Sequence, residues 1–461
     1  MPRIRSIYAL IIAFAIFLLA PIKSGSAAGP LAPTPPMGWN SWDSYGLTID
    51  EDQFRANVSV LARLKGFGWQ YAVIDEGWYM QNPFGANTAE QKYLYDANGL
   101  LQPVVARFPS AKDGGFRLLA DWVHVQGLKF GIHIVRGIPK QVVDANLPIA
   151  GSKYHAADAA DRDATCPWND ANYGVADNAA GQAYYDSMLK RYAEWGVDFI
   201  KVDCISDHPY RPTEIKQVAE AIRKSGRPMV LSLSPGPTNL SHAEEVAKYA
   251  QMWRISNDHW DAWSFKDHTP DGFPFGLVDE FDLIADWSPL VKPGAWPDPD
   301  MLPEGSLTPH PGWGDPRQSR YSEDEQRTEF TLWAMARAPL IFGGNLTKLD
   351  PLTRSMMTNR EVIDIDQYSV ASGLALMPAD NGKPLPWRAW YAQMGGFSTK
   401  TYAAVFNLGD DSRTLDVPWI SFHVPDKPHG AYDVWNKRQL EVAKVLHVTL
   451  PPHGCALYRI E

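Results

Sequence analysis

Gly196-Val197-Asp198-Phe199-Ile200-Lys201-Val202-Asp203-Cys204 reads as a buried strand that ends on a carboxylate. Strand side chains alternate between two faces. Phe199, Lys201 and Asp203 therefore share one face, and Ile200 and Val202 share the other. A face carrying Lys and Asp suits an ordinary core poorly, because a buried charge needs a partner or hydrogen bonds. At the C-terminal end of a strand in a (β/α)8 barrel it suits an active site. Asp203 is thus the first catalytic candidate.

The chain on either side keeps the same rhythm. Tyr71-Ala72-Val73-Ile74-Asp75-Glu76-Gly77-Trp78 is an apolar strand ending in two acids, and Leu128 to Ile134 is another strand. Between Gly181 and Trp195, Tyr185, Met188, Leu189 and Tyr192 fall at helical spacing and deliver the chain to the Asp203 strand. Downstream, helices over 214–224, 243–250, 279–287 and 323–338 precede strands over 229–233, 252–256, 293–301 and 340–342. Such alternation predicts a parallel sheet. Eight units over about 300 residues predict a TIM-type barrel. A doubly wound open sheet is the second choice, but no glycine fingerprint for phosphate opens any helix. From about Val370 the texture changes to short strands, Thr401–Asn407 and 446–450, separated by Asp, Gly and Pro turns. The expected division is a barrel over 29–365 and an antiparallel β domain over 366–461.

Composition narrows the function. The formal net charge of -10 over 461 residues argues against nucleic acid or an anionic membrane as partner. Eighteen Trp are many for this length, and Trp faces stack on the C–H faces of sugars. Arg3 and Arg5 precede an apolar run from Ile7 to Leu19, with small residues at Ser26-Ala27-Ala28. This predicts a signal peptide over 1–28 and a mature chain that is secreted or periplasmic, away from the membrane after cleavage. The three cysteines, Cys166, Cys204 and Cys455, allow one disulfide and one thiol. Asn57-Val58-Ser59, Asn239-Leu240-Ser241 and Asn345-Leu346-Thr347 fit N-glycosylation acceptors.

Acids recur at the expected strand ends: Asp75, Glu76, Asp203, Asp258 and Asp298, with Trp39, Trp78 and Trp296 assigned to the same ends. A single Asp in such a place is as readily a helix cap; the repetition favours a shared mouth. Converging carboxylates between aromatic walls suit glycoside hydrolysis. In Trp253-Arg254-Ile255-Ser256-Asn257-Asp258 the Arg and the last Asp share a face of extended chain. Arg254 would hold nearby carboxylates ionised or bind a hydroxyl; the alternative is a structural ion pair.

Taken in order, these pieces resemble glycoside hydrolase family 27, the α-galactosidases and their relatives. The matching segments are Pro35-Pro36-Met37-Gly38-Trp39-Asn40-Ser41-Trp42, Ile74-Asp75-Glu76-Gly77-Trp78, Lys201-Val202-Asp203-Cys204, Trp253-Arg254 with Asp258, Pro297-Asp298-Pro299-Asp300-Met301-Leu302, and Leu332-Trp333-Ala334 with Ala338-Pro339-Leu340. The resemblance implies a (β/α)8 barrel followed by an antiparallel β-sandwich. It implies a retaining double displacement, with Asp203 as nucleophile and Asp258 as acid/base. It places Trp39, Asp75, Glu76, Lys201 and Arg254 against the substrate, pairs Cys166 with Cys204, and calls for no metal or organic cofactor. The implied activity is removal of terminal α-D-galactosyl residues from a galactose-containing oligosaccharide or polysaccharide.

Three departures bear on the sugar. Glu76 stands where the family's galactosidases carry a second Asp, and its extra methylene reaches towards the C6 side. This fits relatives that cleave β-L-arabinopyranosides, which are galactose-like without the hydroxymethyl group. His133 replaces a common Tyr and either contacts sugar or is structural. Ser234, in Ser232-Leu233-Ser234-Pro235-Gly236, lines a wall that often bears Glu. An α-glucan-cleaving relative of isomaltodextranase type and a non-catalytic sugar-binding protein remain as alternatives.

Overall fold

The alternation of strands and helices closes into a barrel. A computed structural model describes residues 30–84, 91–266, 272–308, 315–396, 398 and 400–461. The expected leader, residues 1–28, lies outside them. The barrel strands are β1 (Met37–Asn40), β2 (Tyr71–Ile74), β3 (Lys129–Val135), β4 (Phe199–Asp203), β5 (Val230–Leu233), β6 (Met252–Arg254), β7 (Trp296–Asp298) and β8 (Leu340–Phe342). All pair in parallel, in the order β7-β6-β5-β4-β3-β2-β1-β8. Leu302 bridges the remaining gap: its N–H donates to Ile341 O at 2.8 Å, and Gly343 N–H donates back to Leu302 O at 3.0 Å.

Helices α1 (Glu51–Leu64), α2 (Arg117–Val125), α3 (Ala179–Trp195), α4 (Pro212–Ser225), α5 (Ala243–Tyr249), α6 (Leu277–Trp287) and α7 (Glu323–Ala336) surround the strands. Their starts follow local chemistry. The side chain of Asp50 accepts from Gln53 N–H while Gln53 returns a bond to Asp50 N–H, and Phe54, Val58 and Leu61 face the core. Ser322 and Glu325 cap α7 in the same way. The Asn57 acceptor motif belongs to this packing: Asn57 is buried, bonded to Tyr45 Oη, Gln53 O and Leu346 N, so no glycan fits there.

The alternation read on β4 holds. Phe199 packs inside the barrel with Tyr71, Val73, Val230, Met252, Trp296 and Ile341, forming an apolar floor. Ile200 and Val202 pack outward against the helical layer. Lys201 and Asp203, further along the same inward face, reach the C-terminal mouth.

Helix α8 (Arg360–Tyr368) leads directly into β9 (Ser369–Leu376), so the expected boundary after 365 falls inside a helix. The β domain comprises β9, β10 (Trp387–Met394), β11 (Thr401–Asn407), β12 (Arg413–Pro418), β13 (His429–Asp433), β14 (Arg438–Ala443), β15 (Val445–Leu450) and β16 (Cys455–Ile460). A six-stranded antiparallel sheet, β9-β10-β11-β16-β13-β14, faces the β12-β15 pair. Trp387, Val405, Val417, Trp419, Phe422 and Val448 fill the space between them, making a sandwich. Its contacts with the barrel are specific. Trp435 Nε1 donates to Thr331 Oγ1 at 2.9 Å, and His453 stacks on Trp263 with ring centroids 4.0 Å apart.

Candidate active site

A cavity of about 390 Å3 opens at the C-terminal ends of the strands. Asp75, Glu76, His133, Lys201, Asp203, Ser234, Arg254 and Asp258 all line it. Eight of the nine side chains singled out as catalytic or substrate-contacting therefore meet in one place.

Trp39 does not join them. It is 0 % exposed, and alternation on β1 turns it outward with Met37, where it packs on Tyr45 and Phe54. Trp78 is likewise outside the barrel, against Phe116 and Trp195. Trp296 lies in the floor, at the other end of β7. The aromatic walls come instead from residues beyond the strands: Trp42, which opens a short helix over Trp42–Tyr45, and Trp168 and Trp260. Asp298 is also displaced. It sits below the cavity accepting Asp300 N–H at 3.0 Å, and Asp300 lines the cavity in its place. Sequence reasoning passed over Trp42, Asp43, Trp168, Asn169, Trp260 and Asp300. Trp42 and Asp300 lay in segments already quoted.

Six acids line the cavity (Asp43, Asp75, Glu76, Asp203, Asp258 and Asp300) beside Lys201, Arg254 and His133. They cannot all ionise in so small a buried volume, and the structure sorts them. Asp75 is held at about 2. Its burial opposes this, but Lys201 Nζ at 3.1 Å, His133, the Glu76 N–H and Asn40 Nδ2 at 2.7 Å overcome it. Asp203 is also lowered. Against burial stand His133, Lys201 and the Cys204 N–H, 2.8 Å from Oδ1. Asp203 Oδ2 faces His133 Nε2 at 3.8 Å and the Trp168 indole N–H at 3.4 Å. The His133 pKa is raised: burial works against its charge, and Asp75 and Asp203 prevail.

The other group is pushed up. Burial, then the like charges of Asp300 and Asp203, raise Asp258, although Arg254 pulls the other way. Arg254 Nη1 and Nη2 are both 3.3 Å from Asp258 Oδ1, and Nη2 is 2.7 Å from Asp300 Oδ2. The Asp258 side chain is 35 % exposed, at the cavity mouth. Burial pushes Glu76 up to about 7, aided by Asp203 and Asp75. Burial, with Asp300, also holds Asp43 well above the usual carboxylate range. Asp43 reaches the cavity over Gly343, where any Cβ would collide with its carboxyl.

Cys166 and Cys204 form a disulfide. It ties the residue after Asp203 to the loop carrying Trp168, 41 % exposed at the cavity rim, and Asn169, whose Nδ2 donates to Glu76 Oε1 at 3.0 Å. Cys455 stays a thiol, 3.4 Å from Thr331 Oγ1.

The geometry agrees with comparison to known proteins. A family model described as alpha galactosidase A matches residues 34–159 and 170–368, and one described as the alpha galactosidase C-terminal beta sandwich domain matches 386–460. The chain is 27 % identical to alpha-galactosidase A of Cellvibrio japonicus, covering 93 % of this chain and 92 % of that protein. It is also 27 % identical to human alpha-galactosidase A, over 94 % and 89 %. Among solved structures, a GH27 β-L-arabinopyranosidase from Geobacillus stearothermophilus superimposes with a TM-score of 0.85 at 40 % identity, covering 93 % of this chain and 97 % of that one. A putative alpha-N-acetylgalactosaminidase from Bacillus halodurans follows with a TM-score of 0.78 at 36 % identity, over 94 % and 99 %. This chain is a glycosidase with a carbohydrate substrate, and it belongs to glycoside hydrolase family 27.

Proposed function

We propose that the enzyme is a retaining exo-glycosidase for galacto-configured pyranosides, that β-L-arabinopyranosides are its preferred substrates, and that α-D-galactosides are cleaved more slowly. The sequence alone put α-D-galactosides first. What reverses the order is where the structure holds Glu76: at the cavity wall, its Oε1 accepting from Asn169 Nδ2. In this reading its longer side chain crowds the hydroxymethyl group by which galactose differs from arabinopyranose. The 40 % identity to the Geobacillus β-L-arabinopyranosidase supports the same order.

In this reading Asp203, kept ionised, attacks the anomeric carbon and forms an ester bond to it. The bond to the aglycone oxygen breaks, its electron pair stays on that oxygen, and the proton of Asp258 passes to it. Asp258, now a carboxylate, takes a proton from water as that water attacks the anomeric carbon and frees Asp203. Asp75, Lys201, Arg254 and His133 hold sugar hydroxyls, Ser234 lines the wall, and Trp42 and Trp168 supply apolar faces. Retention follows from two inversions. The leader over 1–28 would export the enzyme, which N-terminal sequencing of the mature protein tests by a start near Gly29.

Initial rates on 4-nitrophenyl β-L-arabinopyranoside and 4-nitrophenyl α-D-galactopyranoside test the assignment. A larger kcat/KM for the arabinoside is expected. The opposite ratio makes the enzyme an α-galactosidase. Binding of both with turnover of neither would leave a sugar-binding protein.

A further inference from the structure

Behind the wall that carries Asp258 lies a group of buried polar side chains with no place in the reaction described above. His259 follows Asp258 directly, and its side chain is 0 % exposed. Its Nε2 lies 2.6 Å from Glu329 Oε1, on α7, and 3.1 Å from Tyr321 Oη. Its Nδ1 lies 3.6 Å from Glu280 Oε1, on α6. Tyr321 Oη donates onward to Trp260 O at 3.1 Å. The backbone N–H of His259 donates to Asp300 Oδ2 at 3.0 Å, the same oxygen that sits 2.7 Å from Arg254 Nη2. One residue thus grips α7 with its ring and the Arg254–Asp300 pair with its backbone. Arg254 in turn touches Asp258.

We propose that His259 is a positioning residue for leaving-group protonation: its ring, pinned by Glu329, fixes the loop that sets Asp258 against the shared Arg254–Asp300 pair. This rests on the acid/base role given to Asp258. Physical considerations say how the clamp is held. Burial, then Arg254, lowers the His259 imidazole to about 3, so it is neutral. Burial, then the like charge of Glu304 facing it, holds Glu329 well above the usual range, so it keeps its proton. The 2.6 Å contact then joins two neutral groups, one proton lying between Nε2 and Glu329 Oε1. Two buried neutral groups sharing one proton make a rigid link with no net charge to solvate. An ionised pair in the same place would carry a large desolvation cost.

In the glycosylation step, which kcat/KM reports, a loosened Asp258 loop hurts only departures that need its proton. On a reactive leaving group such as 2,4-dinitrophenolate, departure needs no acid; on phenolate it does. The test compares aryl glycosides of these two leaving groups, on the sugar turned over fastest, with wild type, Asp258→Asn, His259→Ala, Glu329→Ala and Glu329→Gln. His259→Ala and Glu329→Ala should each lose about tenfold or more in kcat/KM on the phenyl glycoside, since small misplacements of a catalytic group are costly. They should lose less than about threefold in kcat/KM on the dinitrophenyl glycoside, where any fall in kcat is matched by a fall in KM because Asp258 still serves as base in the second step. Glu329→Gln keeps an amide that can donate to or accept from Nε2 and should recover most of the loss seen in Glu329→Ala.

Equal losses on both substrates, or no loss, in folded His259→Ala would overturn the proposal while leaving Asp258 its role, provided Asp258→Asn shows the leaving-group preference. If Asp258→Asn shows none, the acid/base reading fails first. Should His259→Ala not fold, the Glu329→Ala and Glu329→Gln pair decides by the same criterion.

Discussion

On β4 the inward face carries Phe199 at one end and Asp203 at the other, and the whole barrel interior repeats that division. The floor is Tyr71, Val73, Phe199, Val230, Met252, Trp296 and Ile341. A few residues further along the same strands, or just beyond them, the mouth is Asp75, His133, Lys201, Asp203, Arg254 and Asp300. The floor gains stability by burying apolar surface without leaving polar atoms unsatisfied. The mouth gathers acids that repel one another and must be divided into protonated and ionised groups by their neighbours. Folding is served at one end, and chemistry is placed at the other at some cost to folding.

The difference can be broken by exchanging what each end tolerates. Asp203→Gly should lower turnover by at least about 10³-fold, far out of proportion to the stability lost with the contacts that His133 and Lys201 make to the ionised carboxylate. Added azide should restore turnover and give a glycosyl azide of opposite anomeric configuration to the substrate; an Asp203→Gly protein that loses its activity only because it no longer folds would contradict the division. Phe199→Ala should do the reverse. It should lose about 3–5 kcal/mol of stability in denaturant unfolding, with turnover per folded molecule unchanged.

Smaller changes sharpen the picture at the wall. Glu76→Asp should raise the α-galactoside to β-L-arabinopyranoside ratio of kcat/KM about tenfold, the scale of one methylene in a pocket. An unchanged ratio would remove Glu76 from substrate selection. Glu76 should also leave a signature in stability. Its folded carboxyl, at about 7, binds protons more tightly than it would unfolded, near 4.5. The stability it provides when protonated is full below the unfolded value and is lost as pH rises through about 7. Glu76→Gln should therefore melt a few degrees above wild type at pH 8 and show less of that advantage at pH 5. A gap of equal size at both pH values would mean that Glu76 does not titrate in this window.

Much of this was legible in the chain. Period-two alternation on the β4 stretch separated Phe199, Lys201 and Asp203 from Ile200 and Val202, and the barrel followed from strands recurring between helices. What escaped had a physical reason. Trp39 was assigned to the mouth because of its motif, yet on β1 it shares the outward face with Met37; Trp42, at the start of the short helix that follows the strand, is the one that lines the cavity. Asp298 and Asp300 lie two apart, and sequence cannot say which of the two clears the strand end. Trp168 and Asn169 sit on a loop 35 and 34 residues before Asp203, and only the Cys166–Cys204 link and folding bring them to the nucleophile. The His259–Glu329 contact spans 70 residues, a separation at which spacing carries no signal.

The most direct test is to trap the covalent sugar. The enzyme, incubated with an activated 2-deoxy-2-fluoro derivative of its preferred glycoside and digested with pepsin, should yield one labelled peptide. Fragmentation in the mass spectrometer should place the fluorosugar on Asp203. A label on any other residue, or no label together with a product of inverted anomeric configuration, would contradict the account.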